Sequence, residues 1–454
     1  DGKQKAPNGR KVYIESYGCA MNFSDSEIVA SILSENGFET TKDIEEADVI
    51  FVNTCSIREK AEQTVRKRLR TFQKLKEKKK EMTIGVLGCM AERLKKNLLE
   101  QEQIVDIVVG PQSYHRLPEQ IKNFAERKEN FSDTNFELIE KFDTLDNLKS
   151  SRKSKVSEFL TIQEGCDKFC SFCVVPYTRG AEFSRSFNSI INEAKKLSDN
   201  GVREIVLLGQ NVSAYKFVDG NKTYNLAKLI DEIAKINSIH RIRFTTSHPN
   251  DMDQELIEAF KYQKKLMPQL HLPIQSGSNK ILKLMNRKHT IEEYLKVYES
   301  LKEINPNVEF SSDFIIGYPG EDEDDFNKTM ELIEKIGFIN SYSFIFSARP
   351  GTVAADLTQV NAVKSKERLE IIQKKLFENQ IKKNKSLENK ILNVLVENIM
   401  KDGIKLFGRT EYMTSVIFDG DIDNIGKIVQ VEITSSNQNS LFGKLVESSK
   451  KKVA

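Results

Sequence analysis

The chain has 454 residues, too many for one ordinary hydrophobic core, and a prior of about 150 residues per unit predicts roughly three. Its formal charge is only +3 with 30% charged residues, so no strongly polyanionic partner is written into the global balance. Six cysteines are too few for a disulfide scaffold in so long a chain, and in a reducing compartment they point to metal or catalysis.

No apolar stretch reaches the roughly 18 residues that span a membrane, and the amino-terminal residues lack the apolar core of a secretory signal. A cytoplasmic protein without membrane contact is expected. No sustained heptads suggest a coiled coil, and a monomer is expected.

The first segment alternates strands and helices. KVYIESYGC (11–19) reads as a strand before an amphipathic helix around SDSEIVASILSENG. ADVIFVNTC (47–55) is a second strand, with a helix through REKAEQTVRKRLRTF; MTIGVLGC (82–89) is a third and VDIVVG (105–110) a fourth. Such alternation predicts a parallel sheet with helices on its faces. Residues 66–80 are densely basic, as are 374–390; each run reads as a solvated helix face or as a source of phosphate contacts. The polar stretch 128–157, ending in KSSRKSKVS, has the composition of a linker.

The middle segment repeats a βα unit about six times. Its strand candidates are EFLTIQEG, VREIVLLGQ, RIRFTTS, QLHLPIQ, VEFSSDFIIG and YSFIFSA. Six units predict an open, partial barrel with chemistry at the carboxyl ends of its strands. From about residue 391 the pattern turns to period-two alternation in ILNVLVENI, YMTSVIF, KIVQVEITS and LFGKLVES. That change predicts a small antiparallel barrel. The expected fold class is therefore α/β: an amino-terminal parallel α/β domain, a partial (βα)6 TIM-like barrel and a small carboxy-terminal antiparallel β-barrel.

The cysteines fall into two sets of three. Cys166, Cys170 and Cys173 follow the first strand of the βα series in CxxxCxxC spacing. Thiolates are soft ligands, suited to zinc or iron–sulfur clusters. Structural zinc usually takes four closed ligands, yet no histidine lies between His115 and His240. A ferredoxin-type cubane takes a fourth cysteine, whereas Val174, Val175 and Pro176 follow Cys173 here. Three thiolates on a four-iron cubane leave one iron open, and the missing ligand reads as a substrate or cofactor. Structural zinc is the competing reading.

Cys19, Cys55 and Cys89 are distant in the chain but equivalent in position, each closing a predicted strand ahead of a predicted helix. All carboxyl ends of a parallel sheet share one edge, where α/β folds bind ligands. The three thiols could therefore converge on a second metal centre, again with an open iron. The alternative is three unrelated buried hydrophobes.

The spacing in GCDKFCSFCVVPYTRG (165–180), after the first strand of a βα series, resembles the radical S-adenosylmethionine (SAM) superfamily. With the second cysteine set, the likeness extends over nearly the whole chain to the methylthiotransferases. It implies a cysteine-bearing amino-terminal domain (10–127), a linker (128–151), a radical SAM core (152–383) and a terminal TRAM domain (384–449). NTCSIREKAE (53–62), HLPIQSGSNKILKLMNRKHT (271–290) and GRTEYM (408–413) look most like the MiaB-type group.

The resemblance implies two [4Fe–4S] clusters, one for radical SAM chemistry on Cys166, Cys170 and Cys173 and an auxiliary one on Cys19, Cys55 and Cys89. All six cysteines would serve catalysis as metal ligands. It further implies SAM as cofactor, an external electron donor, and the anticodon stem-loop of tRNA as partner. The implied reaction replaces the C–H at adenine position 2 of isopentenyl-adenosine 37 by a methylthio group. One SAM would methylate a sulfur at the auxiliary cluster, and another would yield a 5′-deoxyadenosyl radical at the core cluster. An adenine ring C–H is not acidic enough for side-chain bases, a limit that radical abstraction by a cofactor avoids. Relatives acting on threonylcarbamoyl-adenosine in tRNA, or on a ribosomal-protein aspartate, supply the alternative.

Further candidates sit at strand ends. Gln210, Asn211, Ser247, Gln275 and Asp313 are candidate SAM- or substrate-binding residues, although ordinary strand-end hydrogen bonds would explain each as well. Gly317 and Gly320 in IIGYPGE would allow close approach of an adenine, or simply a tight turn. Arg179 and Arg185 could face the reduced cluster, grip phosphate, or pair with Glu182. His248 and His271 read as satisfied core or rim histidines, and Phe169 and Phe172 as packing for the cluster loop or as rings that stack on SAM. The TRAM resemblance implies RNA binding, and exposed loop bases are the usual target of such recognition. Tyr412, Met413 and Thr414 stand where many relatives carry a basic residue, which leaves Arg409, Lys405 and Lys444 as weaker RNA-contact candidates.

Overall fold

The computed structural model describes residues 9–55, 59–134, 142 and 155–446. Its amino-terminal sheet is wholly parallel. The strands are β1 (Lys11–Tyr17), β2 (Glu39–Thr40), β3 (Val49–Thr54), β4 (Thr83–Leu87), β5 (Ile107–Val109) and β6 (Phe131–Asp133), in the order β2-β1-β3-β4-β5-β6. Alternation along β3 explains the layers. Val49 and Phe51 pack with the helices Ala20–Glu35 and Leu117–Arg127, whereas Ile50 and Val52 pack with Glu59–Lys78 and Cys89–Leu94. A central strand buried on both faces reads as a continuous apolar run, as this one does.

β2 and β6 have no signature in the sequence because both are short edge strands held by ladder bonds. β6 lies in the stretch expected to be a linker, yet Phe131 pairs with Ile107 and Asp133 with Val109. Residues 135–141 and 143–151 of that expected linker lie outside the described residues. The basic run at 66–80 is divided in use: Arg66 pairs with Glu102, Arg68 with Glu15, Lys76 with Asp106 and Lys79 with Asp48. Lys67, Arg70, Lys74, Lys78 and Lys80 stay exposed.

The middle segment begins with β7 (Ser157–Thr161), then a short hairpin of β8 (Gln163–Glu164) and β9 (Phe183–Ser184). β10 (Glu204–Leu208) follows, then a second hairpin of β11 (Lys216–Asp219) and β12 (Lys222–Asn225). β13 (Arg241–Phe244), β14 (Gln269–His271), β15 (Glu309–Ser311), β16 (Asp313–Ile316) and β17 (Tyr342–Ile345) complete it. β7, β10 and β13 pair in parallel, a bridge from Ile242 to Leu266 leads on to β14, β14 pairs with β15, and β16 with β17. β15 and β16 are one strand interrupted at Ser312, so six parallel steps make an open, partial barrel. Helices including Ile291–Ile304 and Glu323–Ile336, each opened by a capping box, cover the outside and bury Tyr294, Leu301, Phe326 and Ile333 in the main core.

The carboxy-terminal strands β18 (Ile391–Ile399), β19 (Lys405–Arg409), β20 (Ser415–Asp419), β21 (Ile428–Ser436) and β22 (Ser440–Leu445) form a closed barrel in the order β18-β19-β20-β22-β21. Every pair is antiparallel except β20 with β22, which run parallel and close it.

Both outer units dock on the inner face of the partial barrel. Met21 and Cys19 pack with Val206, Leu208 and Phe159, while Ser24 Oγ lies 3.1 Å from Thr161 Oγ1. On the other side, the buried Arg241 donates to the carbonyls of Arg409 and Asn393, and Arg243 to those of Glu411 and Thr410. Arg243 also donates to Glu204 at 2.9 Å. Replacing Arg243 by methionine leaves the Glu204 carboxylate buried without its cation, a loss of about 3–5 kcal/mol. Lower thermal stability, and easier proteolytic release of the terminal barrel, are expected; an unchanged melting curve would contradict this anchoring.

Candidate active site

β1, β3 and β4 are neighbours in the sheet, and each hands the chain to a cysteine at its carboxyl end. Cys19 precedes the helix Ala20–Glu35, Cys55 follows β3 directly, and Cys89 opens the helix Cys89–Leu94. Gly18, at φ +119°, lets the first two chains close on each other: a Cβ there would stand 2.5 Å from the Cys55 Cβ and 3.1 Å from its Sγ. Beneath them the Asn53 amide donates to the Asn22 carbonyl at 2.9 Å and to Ser26 Oγ at 3.0 Å. The hydrogen bond from Cys55 and the nearby charge of Arg179 outweigh burial and bring the Cys19 thiol down to about 6. Cys89 moves the other way, pushed up by burial against the pull of Arg179.

The second set sits in the loop between β8 and β9. Gly165 opens it at φ +77°, where a Cβ would lie 2.0 Å from the Ala181 carbonyl oxygen. Two glutamines lock its base. Gln163 accepts from the backbone N–H groups of Gln210 and Asn211 and donates to the Gly165 carbonyl, while Gln210 Oε1 accepts from the Gly165 N–H at 2.9 Å. The Ser171 N–H donates to the Met285 carbonyl at 2.8 Å, and Arg287 Nη1 reaches Cys170 Sγ at 3.5 Å. Burial pushes the Cys166 thiol up to about 11 and Cys173 to about 12, so protons must leave when a metal arrives.

The two sets touch through Arg179, the last residue of the helix Val175–Arg179. Its guanidinium donates to Glu164 at 2.7 Å and Asp25 at 2.6 Å, and its Nε to Cys89 Sγ at 3.3 Å. Burial opposes the charge, but Asp25, Cys89 and Glu164 outweigh it and hold the group protonated.

Each set offers three thiols, the donor number that leaves one position of a four-iron cluster open. Among the described residues, no three His, Cys, Asp or Glu side chains are grouped so as to hold a single metal ion. Ser247 adds a buried hydroxyl that has no hydrogen-bond partner among the described residues.

Family models match three consecutive parts of the chain: the uncharacterized protein family UPF0004 over residues 11–110, the radical SAM superfamily over 160–333, and the TRAM domain over 385–446. The tRNA-2-methylthio-N(6)-dimethylallyladenosine synthase of Pelagibacter ubique is 62% identical over 445 residues, covering 98% of this chain and all of the relative. The synthase of the same name from Agrobacterium fabrum is 45% identical, covering 98% and 99%. The chain belongs to the tRNA-2-methylthio-N(6)-dimethylallyladenosine synthase family. Its fold is also that of TsrM, a radical SAM methyltransferase from Kitasatospora setae, with a TM-score of 0.56 at 13% identity over 76% of this chain and 75% of that one. The α/β class and the three-part architecture expected from the sequence are those of the structure.

The other candidates divide. Gln210 serves the cluster loop, as above. Asn211 is buried and donates to Asp251 at 2.7 Å, and Asp313 lies 3.3 Å from His271 Nε2, whose ring also meets Ser311 Oγ at 2.8 Å. Gln275 holds φ +77° and Thr246, beside Ser247, φ +66°. Left-handed backbone in non-glycine residues, one of them β-branched, is strain that favours a functional explanation at these strand ends. The space at Gly317 is filled from within: a Cβ there would stand 2.3 Å from Ser365 Oγ. Close packing against the helix Ala362–Lys385 explains that glycine without an adenine.

Neither arginine pairs with Glu182. Arg185 donates to Glu193 and the Thr161 carbonyl, with its guanidinium 5.4 Å from the centre of the Phe142 ring. Phe172 packs with Met285, Tyr318 and Phe346 as expected, but Phe169 is 52% exposed and meets Tyr177 edge-on. Its backbone is left-handed, at φ +49°. His248 is buried, and its Nδ1 accepts from the Asn250 N–H, while Nε2 has no partner among the described residues. Tyr412 is half-buried, its hydroxyl donating to the Asn307 carbonyl of the middle segment, and Arg409 pairs with Glu397 at 3.0 Å. Lys405 and Lys444 remain exposed. Asp25, Gln163, Glu164 and Arg287 were invisible to sequence reasoning, since nothing local distinguishes them from ordinary polar residues.

Proposed function

We propose that this chain is a tRNA methylthiotransferase that converts isopentenyl-adenosine 37, beside the anticodon, to its 2-methylthio derivative. Cys166, Cys170 and Cys173 would hold the SAM-binding [4Fe–4S] cluster, and Cys19, Cys55 and Cys89 an auxiliary one. The observation that carries the reading is the contact between the sets, in which Arg179 of the core loop bonds Cys89 of the amino-terminal sheet. Two sites meant to act on one substrate atom must lie close together, and a direct contact between residues of the two sets supports that reading.

The cluster that Cys166, Cys170 and Cys173 would hold would supply one-electron reduction of SAM, and the centre that Cys19, Cys55 and Cys89 would hold would supply sulfur. The chain's own residues bind and orient. Gln163 and Gln210 fix the cluster loop, and Phe172 with Tyr318 and Phe346 keeps water from its back. The buried Ser247 hydroxyl and the Asp313–His271 pair offer polar contacts to SAM or the target nucleoside at the strand ends. Exposed lysines, including Lys405 and Lys444, supply phosphate contacts to the anticodon stem-loop. The amino-terminal unit, core and TRAM barrel act together in a cytoplasmic monomer served by an external electron donor.

Anaerobic reconstitution with iron, sulfide, SAM, a reductant and isopentenylated tRNA tests the substrate. Nucleoside mass spectrometry is expected to find a methylthio increment on isopentenyl-adenosine. An unmodified isopentenyl-adenosine beside methylthiolated threonylcarbamoyl-adenosine would contradict the assignment.

A further inference from the structure

Arg179 is withdrawn from solvent, and the groups that meet its guanidinium come from three places in the chain. Glu164 ends the strand ahead of Cys166, Asp25 lies on the helix that follows Cys19, and Cys89 belongs to the auxiliary set. A buried guanidinium needs its donors paired and its charge balanced. The two carboxylates meet both needs and would by themselves tie the core loop to the amino-terminal sheet. The third donor, Nε, is nevertheless directed at a sulfur. Hydrogen bonds to cluster sulfurs, and the net charge around them, are what set reduction potentials in thiolate-bound clusters.

We infer that Arg179 is a positioning residue that holds a fixed positive charge against Cys89 and thereby raises the reduction potential of the auxiliary centre, with Asp25 offsetting part of that charge. The inference rests on the proposed ligation of an auxiliary cluster by Cys89. It assigns opposite electrostatic roles to two residues of one buried ion pair.

The test uses the full chain carrying Cys166→Ala, Cys170→Ala and Cys173→Ala, so that the auxiliary cluster alone is observed by EPR-monitored potentiometry. Arg179→Gln is expected to lower the midpoint potential. Asp25→Asn, whose amide oxygen still accepts from Nη2, is expected to raise it. Arg179→Lys keeps the charge and should shift the potential less than Arg179→Gln. Shifts of opposite sign do not follow from loosened packing, which would move both variants alike or neither. A cluster that forms with the same midpoint in all variants overturns the inference and leaves the family reading intact. Failure of the triple-cysteine parent to assemble any cluster overturns the inference together with the proposed auxiliary site. If Arg179→Gln does not fold, Asp25→Asn decides by itself, and the absence of an upward shift overturns the inference.

Discussion

Cys170→Ala protein is expected to lose 5′-deoxyadenosine formation completely, and with it all methylthiolation, while keeping its fold and one cluster. Cys170 lies in a loop whose backbone is held independently of any metal: Ser171 N–H donates to Met285, the Ala354 N–H to Ser171, and the Cys173 N–H to the Cys170 carbonyl. Removing one sulfur from a partly exposed loop position costs little packing, within about 1 kcal/mol. It removes one of three thiolates, however, and a cubane held by two is not expected to persist. Iron content should fall by one cluster, and SAM should remain uncleaved under reductant. Retained 5′-deoxyadenosine formation in this variant would remove the core cysteines from the chemistry.

Cys89→Ala should give the complementary pattern. The core loop keeps its own anchors through Gln163, Gln210 and Met285, so SAM cleavage to 5′-deoxyadenosine continues. Methylthiolated product falls to background, because the sulfur-bearing centre has lost a ligand. Cys89 is buried, and truncating its thiol leaves the Arg179 Nε donor without that partner, a cost of about 1–3 kcal/mol that a stable domain survives. The contrast between the variants is the informative quantity: one loses both readouts, the other only the product. Loss of both by Cys89→Ala, in folded protein with an intact core cluster, would contradict the division of labour.

Much of this organisation was legible in the sequence for identifiable physical reasons. A strand buried on both faces, such as β3 or β4, cannot avoid writing a continuous apolar run. A cysteine placed directly after such a run lies at the carboxyl edge of a parallel sheet, as Cys55 and Cys89 do, and Cys19 joins them at the end of the half-buried β1. Edge strands are different. β2 and β6 are held by backbone ladder bonds and need no apolar pattern, so a polar stretch read as a linker contributed Phe131–Asp133 to the sheet. In the terminal barrel, the parallel closure of β20 on β22 depends on chain path rather than on side-chain alternation.

The site divides in the same way. Candidate ligand residues stand out because few side chains can do such chemistry, whereas the residues around them are common ones brought in from elsewhere. Arg179 was a candidate, but pairing with Glu182, its nearest acid in sequence, is not what occurs; Asp25, more than a hundred residues away, takes that place. Gln210 resembled a ligand contact because it ends a strand, and in the structure its amide closes the loop on Gly165. Tyr412 replaced a basic residue expected to meet RNA, and its ring and hydroxyl instead face Lys383 and Asn307 of the core. The basic runs mislead in a related way, since Arg66, Arg68, Lys76 and Lys79 are committed to acids of their own domain.

The central claim is that two separate thiol triads each hold a four-iron cluster. Mössbauer spectroscopy of anaerobically reconstituted protein tests it most directly when wild type is compared with two variants, one lacking Cys166, Cys170 and Cys173 and the other lacking Cys19, Cys55 and Cys89. The account predicts two [4Fe–4S] clusters in the wild type and one in each variant. A single cluster in the wild type that survives loss of Cys19, Cys55 and Cys89 would contradict it.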